Sequence, residues 1–179
     1  MNLGNEYLKI VQERFKSVKD LGDKTISQLS EENIHWVLNA GSNSVVVIVK
    51  HLSGNMISRW SDFLTSDGEK SSRNREQEFE DTLSSKQDLT ITWERGWTIL
   101  FETLSGLDEQ DLLKTVYIRG EGHTVLDAIE RQLAHYAYHI GQLVFIGKQL
   151  KAENWDSLSI PTGKSEEYLQ KMLRENQSR

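Results

Sequence analysis

The sequence predicts an all-α protein, a four-helix bundle with a short hairpin or flap ahead of the fourth helix, and three observations carry that expectation. A single proline, Pro161, occurs in 179 residues, so long helices are permitted nearly everywhere. Four segments repeat apolar residues at intervals of three and four. The chain is long enough to bury one sizeable core, which fits a single domain over residues 1–179.

The first helix is expected over residues 3–29, with Leu8, Val11, Phe15, Val18, Leu21 and Ile26 along one side and a local break at Gly22. The second starts at Ser42 or Ser44, whose side chains suit the free N–H groups of a helix start. It extends to Leu64, with Val45, Ile48, Leu52, Met56, Trp60 and Phe63 in line. Its run Val45-Val46-Val47-Ile48-Val49 favours a strand locally, but the helical spacing continues well past it. The third helix covers residues 86–104, aligned on Trp93, Trp97, Leu100 and Leu104. The fourth covers residues 124–150, with Val125, Ile129, Leu133, Tyr136, Ile140 and Leu143 inward.

Two connections stand out. Residues 66–85 are polar and lack strong periodicity, and a link of that length can make helices two and three parallel. Thr115-Val116-Tyr117-Ile118-Arg119 alternates as a strand does, and Gly120-Glu121-Gly122 then turns, so a hairpin or flap is expected there. The tail after Trp155 ends in a short amphipathic helix.

Composition narrows the function. The net charge is −6, and its 27 acidic and 21 basic residues are interspersed. No concentrated basic patch marks a nucleic-acid partner. No apolar run approaches the ~20 residues that span a bilayer, and residues 1–15 lack a signal-peptide core, so a cytoplasmic protein is expected. Cysteine is absent, which removes disulfides, thiolate ligands and a cysteine nucleophile. A thiol used in the chemistry would have to come from a second molecule. Gly-x-Ser-x-Gly, Gly-x-Gly-x-x-Gly and His-Glu-x-x-His are also missing.

Three histidines remain as the strongest functional signal. His135 and His139 are four apart on the fourth helix, about 40° around its axis, and can grip one ion. An HxxxH pair alone also describes two ordinary surface histidines. His51, bordering the apolar stripe of the second helix, offers a third imidazole. Three nitrogens leave coordination positions open, as a catalytic metal needs. A structural metal would need a fourth ligand, for which Asp62 and His123 are the candidates. His35 reads as a loop residue, and His123 as a cap or surface group near the pocket mouth.

His51-Leu52-Ser53-Gly54-Asn55-Met56-Ile57-Ser58-Arg59-Trp60, with Phe63-Leu64-Thr65-Ser66-Asp67-Gly68-Glu69 after it, resembles the second helix of the DinB/YfiT-like superfamily, most of all a small bacterial branch. Thr115-Val116-Tyr117-Ile118-Arg119-Gly120-Glu121, His135-Tyr136-Ala137-Tyr138-His139-Ile140-Gly141-Gln142 and Leu158-Ser159-Ile160-Pro161-Thr162-Gly163-Lys164-Ser165 are similar to the same pattern. The resemblance implies an up-down-down-up bundle and one divalent metal, nickel or zinc, on His51, His135 and His139. Characterised relatives include transferases of low-molecular-weight thiols such as bacillithiol.

The expectation is therefore a metal-dependent enzyme of the thiol S-transferase type acting on a small molecule with an exogenous thiol as cosubstrate. A metal-dependent hydrolase and a non-catalytic metal-binding stress protein are the alternatives. Asn55 is a candidate to bind substrate, Arg59 to clamp a carboxylate or else pair with Asp62 or Glu69, and Arg119 to close over an anion. Gln132 and Gln142 are candidates to orient the histidines. Bundles of the superfamily often pair through helix faces. Trp60, Trp93 and Trp97 offer more aromatic surface than one small core needs, so a homodimer is expected.

Overall fold

The computed structural model describes residues 2–176. Among these, six α-helices and one two-stranded antiparallel sheet form, so the chain is mostly helical without being strictly all-α. The long helices are α1 (Leu3–Gln28), α2 (Val45–Trp60), α4 (Lys86–Ser105) and α5 (Val125–Lys151). Between α2 and α4 lies the single turn α3 (Arg75–Glu78), and α6 (Ser165–Asn176) follows in the tail. β1 (Thr115–Ile118) and β2 (Glu121–Thr124) supply the hairpin.

Side-chain caps set the helix starts. Ser44 Oγ accepts the Val47 N–H at 3.2 Å, and Thr124 Oγ1 accepts that of Asp127 at 3.1 Å. The β-branched run after Ser44 is helical because all five residues are buried, and core packing outweighs local propensity. α2 ends at Trp60, four residues before the expected Leu64, and the chain then turns through Asp62 at φ 49°. α1 passes through Gly22 without the expected break. A Cβ at that position would stand 2.6 Å from the Trp93 ring, so glycine here serves close packing and not a bend.

Contacts along the helices fix their directions. Ser53 donates to the Thr92 carbonyl and Thr103 to that of Trp60, so α2 and α4 run side by side the same way. Tyr7 reaches Glu130 near one end of α1 and α5, and Thr25 packs by Gly147 near the other, so these two are also parallel. Gln12 meets Leu104 while Trp93 meets Asp23, which sets α1 antiparallel to α4. One apolar cluster fills the space between the four helices. Trp60, Trp93 and Trp97 all lie in it, buried, so they offer no surface for pairing two copies.

The hairpin turns on Arg119 (φ 57°) and Gly120 (φ 77°), with Ile118 opposite Glu121. Two left-handed residues give a turn whose twist matches its strands. The 66–85 connection is stitched to that turn. Asp67 accepts the N–H groups of Arg119 at 2.9 Å and Gly120 at 2.7 Å, and Gly68 donates to the Tyr117 carbonyl at 2.8 Å. No helix among the described residues is long and apolar enough to cross a membrane.

Candidate metal centre

Two helices deliver the three histidines to one point. His51 sits on α2, and His135 and His139 stand one turn apart on α5. Their ligand atoms all lie within 4.8 Å of one another. His135 Nε2 is 3.3 Å from His51 Nε2 and 3.1 Å from His139 Nε2. Nitrogens about 2.0–2.1 Å from a shared ion stand about 2.8–3.4 Å apart at neighbouring corners of an octahedron or tetrahedron. Both distances from His135 fall in that range.

The outer ring nitrogens explain why the inner ones are free. His51 Nδ1 donates to Glu78 Oε2 at 3.0 Å, and His139 Nδ1 to Gln142 Oε1 at 2.8 Å. Both rings thus carry their proton outward and turn an Nε2 lone pair to the shared point. Three nitrogens packed this closely, two of them lone-pair acceptors, form the donor set a divalent transition metal prefers. Burial, reinforced by electrostatic repulsion from the neighbouring His139, His51, Arg59 and Arg73, pushes His135 down to about 3. Burial also lowers His139, against the opposing Gln142 hydrogen bond. Both rings are therefore neutral, the metal-binding form, around neutral pH.

Glu78, on α3, was not legible as a site residue. Its carboxylate is buried and held by an arginine fork, with Arg73 Nε at 2.7 Å from Oε1 and Nη2 at 2.8 Å from Oε2. Burial works to raise this carboxyl, but the Arg73 and His51 hydrogen bonds outweigh it and its pKa is lowered. It stays ionised and strengthens His51 as a donor. Phe79 covers the His51 ring, with centroids 5.2 Å apart. Gly54 makes room for the carboxylate, since a Cβ there would collide with Glu78 Oε1.

A cavity of about 250 Å³ opens beside the cluster, with His51 and His135 in its wall. Asn55, Arg59 and Arg119 all line it. Asn55 Oδ1 accepts the Tyr136 hydroxyl at 3.0 Å, and that oxygen accepts Trp60 Nε1–H at 3.0 Å, which locks the Asn55 amide. Arg59 is buried against the Gly68 carbonyl and Glu69 Oε2, the latter at 3.1 Å. Arg119 Nε meets the same Glu69 oxygen at 3.1 Å. Both guanidinium groups are thus tied to a carboxylate of the chain itself.

Of the two glutamines, Gln142 orients a histidine and Gln132 does not. Gln132 is buried in the cavity wall with Oε1 unpartnered. Neither Asp62 nor His123 belongs to the metal-ligand group. Asp62 lies at the turn after α2. His123 donates to Asp127 Oδ2 at 2.7 Å and faces Arg131. His35 pairs with Asp81 at 2.8 Å, away from the cluster.

Neither a curated protein nor a solved structure matches this chain. One family does, its sequence profile aligning from residue 2 to residue 164, which takes in all three histidines, Glu78 and the cavity wall. The chain belongs to the family described as Protein of unknown function (DUF1572).

Proposed function

We propose that this protein is a metal-dependent enzyme that transfers a low-molecular-weight thiol to a small electrophilic substrate. The observation that carries the reading is the convergence of three histidine ring nitrogens on one point at the edge of an open cavity. A divalent ion there, nickel or zinc, supplies the Lewis acidity that stabilises a thiolate at neutral pH. The chain has no cysteine of its own, so the thiol is exogenous. In the reaction a carbon–sulfur bond forms, the leaving group departs with its electron pair, and the thiol proton passes to solvent.

The packing supports membership of the DinB/YfiT-like superfamily. α1 and α5 run one way and α2 and α4 the other, the order expected of that four-helix bundle. The residues of the chain supply position and charge. His51 and His139 are oriented by Glu78 and Gln142, and Asn55 and the arginines shape the substrate side of the cavity.

Cobalt-loaded protein tests the proposal. Titration with bacillithiol, mycothiol, coenzyme A and glutathione is expected to give a sulfur-to-metal charge-transfer band with at least one thiol. The same thiol should conjugate to an electrophile well above the metal-free rate, and His51→Ala should abolish both signals. A cobalt spectrum untouched by every thiol would sink the transferase reading. Turnover of activated esters or amides on that sample would then favour hydrolysis, and no turnover a non-catalytic metal protein.

A further inference from the structure

We infer that the cavity beside the histidine cluster binds the oxyanion of a small organic substrate, a carboxylate or a phosphate, gripped by Arg75 and Arg131; this deepens the proposed function and rests on it for the neighbouring cation. Five arginines line the cavity, and they come from separate parts of the chain. Arg59 belongs to α2, Arg73 and Arg75 to the connection after it, Arg119 to the hairpin turn and Arg131 to α5. A run of charge along one solvated helix face does not produce such convergence.

The partners of these arginines separate structural charge from available charge. Glu69 and Glu78 hold Arg59, Arg73 and Arg119. Arg75 lies over the Phe79 ring, its guanidinium carbon 5.9 Å from the centroid. Arg131 Nη1 stands 3.4 Å from His123 Nε2, whose ring is oriented by Asp127. Neither Arg75 nor Arg131 forms an ion pair with a described carboxylate. Five guanidinium groups against two carboxylates leave the wall strongly positive, and a positive cleft with low-dielectric walls concentrates anions. Arginine forks match the paired oxygens of carboxylate and phosphate. The expected Arg59 and Arg119 clamps are occupied, so the anion falls to the two that are not.

Unpartnered buried groups give an independent sign of a ligand. The Gln132 amide is only 4 % exposed and its Oε1 meets no donor. Arg59 Nε is buried without an acceptor. Asn55, 5 % exposed, has its oxygen taken by Tyr136, and its NH₂ has no protein acceptor. Buried polar groups without partners are rare in proteins, and here two of them, Gln132 Oε1 and Arg59 Nε, share one cavity wall. The Asn55 NH₂ and Arg59 Nε suit an oxyanion, while Gln132 Oε1 suits an N–H or O–H of the same molecule. At about 250 Å³ the space is smaller than the ~300–1,000 Å³ of drug-sized sites. It fits a small acid, or the charged end of a larger one.

Isothermal titration calorimetry on the full chain, metal-loaded and metal-stripped, tests this with inorganic phosphate and succinate as probes. At least one probe is expected to bind saturably. Arg75→Ala and Arg131→Ala should each weaken it about tenfold, as loss of a charge-assisted hydrogen bond does. Arg131→Lys should recover only part, because the charge returns without the fork. Both side chains are exposed, so the variants should fold and keep their metal content. The tighter probe assigns phosphate or carboxylate. No saturable binding to the wild type, or equal affinity in the Arg75→Ala/Arg131→Ala double variant, would overturn the inference. A chain that takes no metal yet binds the probe with the same arginine dependence would fail the proposed function and uphold the oxyanion site.

Discussion

At Glu78 one carboxylate answers two demands, accepting the His51 Nδ1 proton and filling the Arg73 fork. Partners of this kind set the tautomer and basicity of a ligating imidazole, and losing one typically costs 10–100-fold in metal affinity. Glu78→Gln should therefore weaken metal binding by about that factor in a chelator competition, with unchanged circular dichroism. Gly54→Ala should act in the same direction and more weakly, because its methyl group displaces the carboxylate without removing it. Affinities within twofold of wild type in both variants would remove Glu78 from the site. The ligands themselves were legible because His135 and His139 obey helical spacing and His51 borders an apolar stripe. Glu78 was not, because the non-repeating chain after α2 brings it back to His51 across 27 residues, and no spacing rule covers such a return. Gln132 and Gln142 look alike in sequence, and only the rotation of α5 against α2 separates the one that holds His139 from the one that faces the cavity.

Among elements, the hairpin turn and the 67–70 segment depend on each other through Asp67. Its carboxylate accepts three backbone N–H groups, those of Glu69, Arg119 and Gly120. These hydrogen bonds lower its pKa, those of Glu69 and Gly120 most. A carboxylate depressed in the folded state contributes stability that is complete above its unfolded value, about 4. That contribution is lost as the pH falls through the lower folded value. Asp67→Ala should therefore melt below wild type at pH 7, and the gap should close as the medium is acidified below about pH 4. Amide exchange should quicken at residues 67–70 and 115–124 in the variant. A gap independent of pH would mean that Asp67 acts through packing alone. The hairpin was foreseeable from the alternation of Thr115 to Arg119 and the glycine after it, and the helix starts from Ser44 and Thr124. The end of α2 was not, because Phe63 continues the apolar stripe and is buried even though the helix has already stopped at Trp60.

For the molecule as a whole, the aromatic residues that suggested a dimer form the interior. Composition counts tryptophans but cannot tell a core from an interface, and Trp60, Trp93 and Trp97 pack with Phe15, Phe63, Phe101 and Tyr136 inside the four long helices. That interior leaves α2 and α5 meeting at the histidines, with the 66–85 connection fastened to the same place by Glu78. An ion bound there would cross-link α2 to α5, two parts of the chain that are far apart in sequence, and hold the ring to which Glu78 fastens the connection. Anything that binds only the folded state stabilises it by RT ln(1 + [L]/Kd), about 4.1 kcal/mol at a free concentration a thousand times Kd. For a chain of this length each kcal/mol moves the melting temperature by about 2–4 °C. Metal-loaded protein should thus melt roughly 8–16 °C above chelator-treated protein, and the difference should grow with free metal concentration. The His135→Ala variant should melt at one temperature with or without metal. Hydrogen exchange on removing the ion should rise first at residues 73–79, which depend on the His51–Glu78 contact, and last in the buried stretch of α4 that touches no ligand. Uniform quickening across the chain would show that the ion supports the fold in general and not this one junction. A melting temperature indifferent to metal in the wild type would remove the metal site itself.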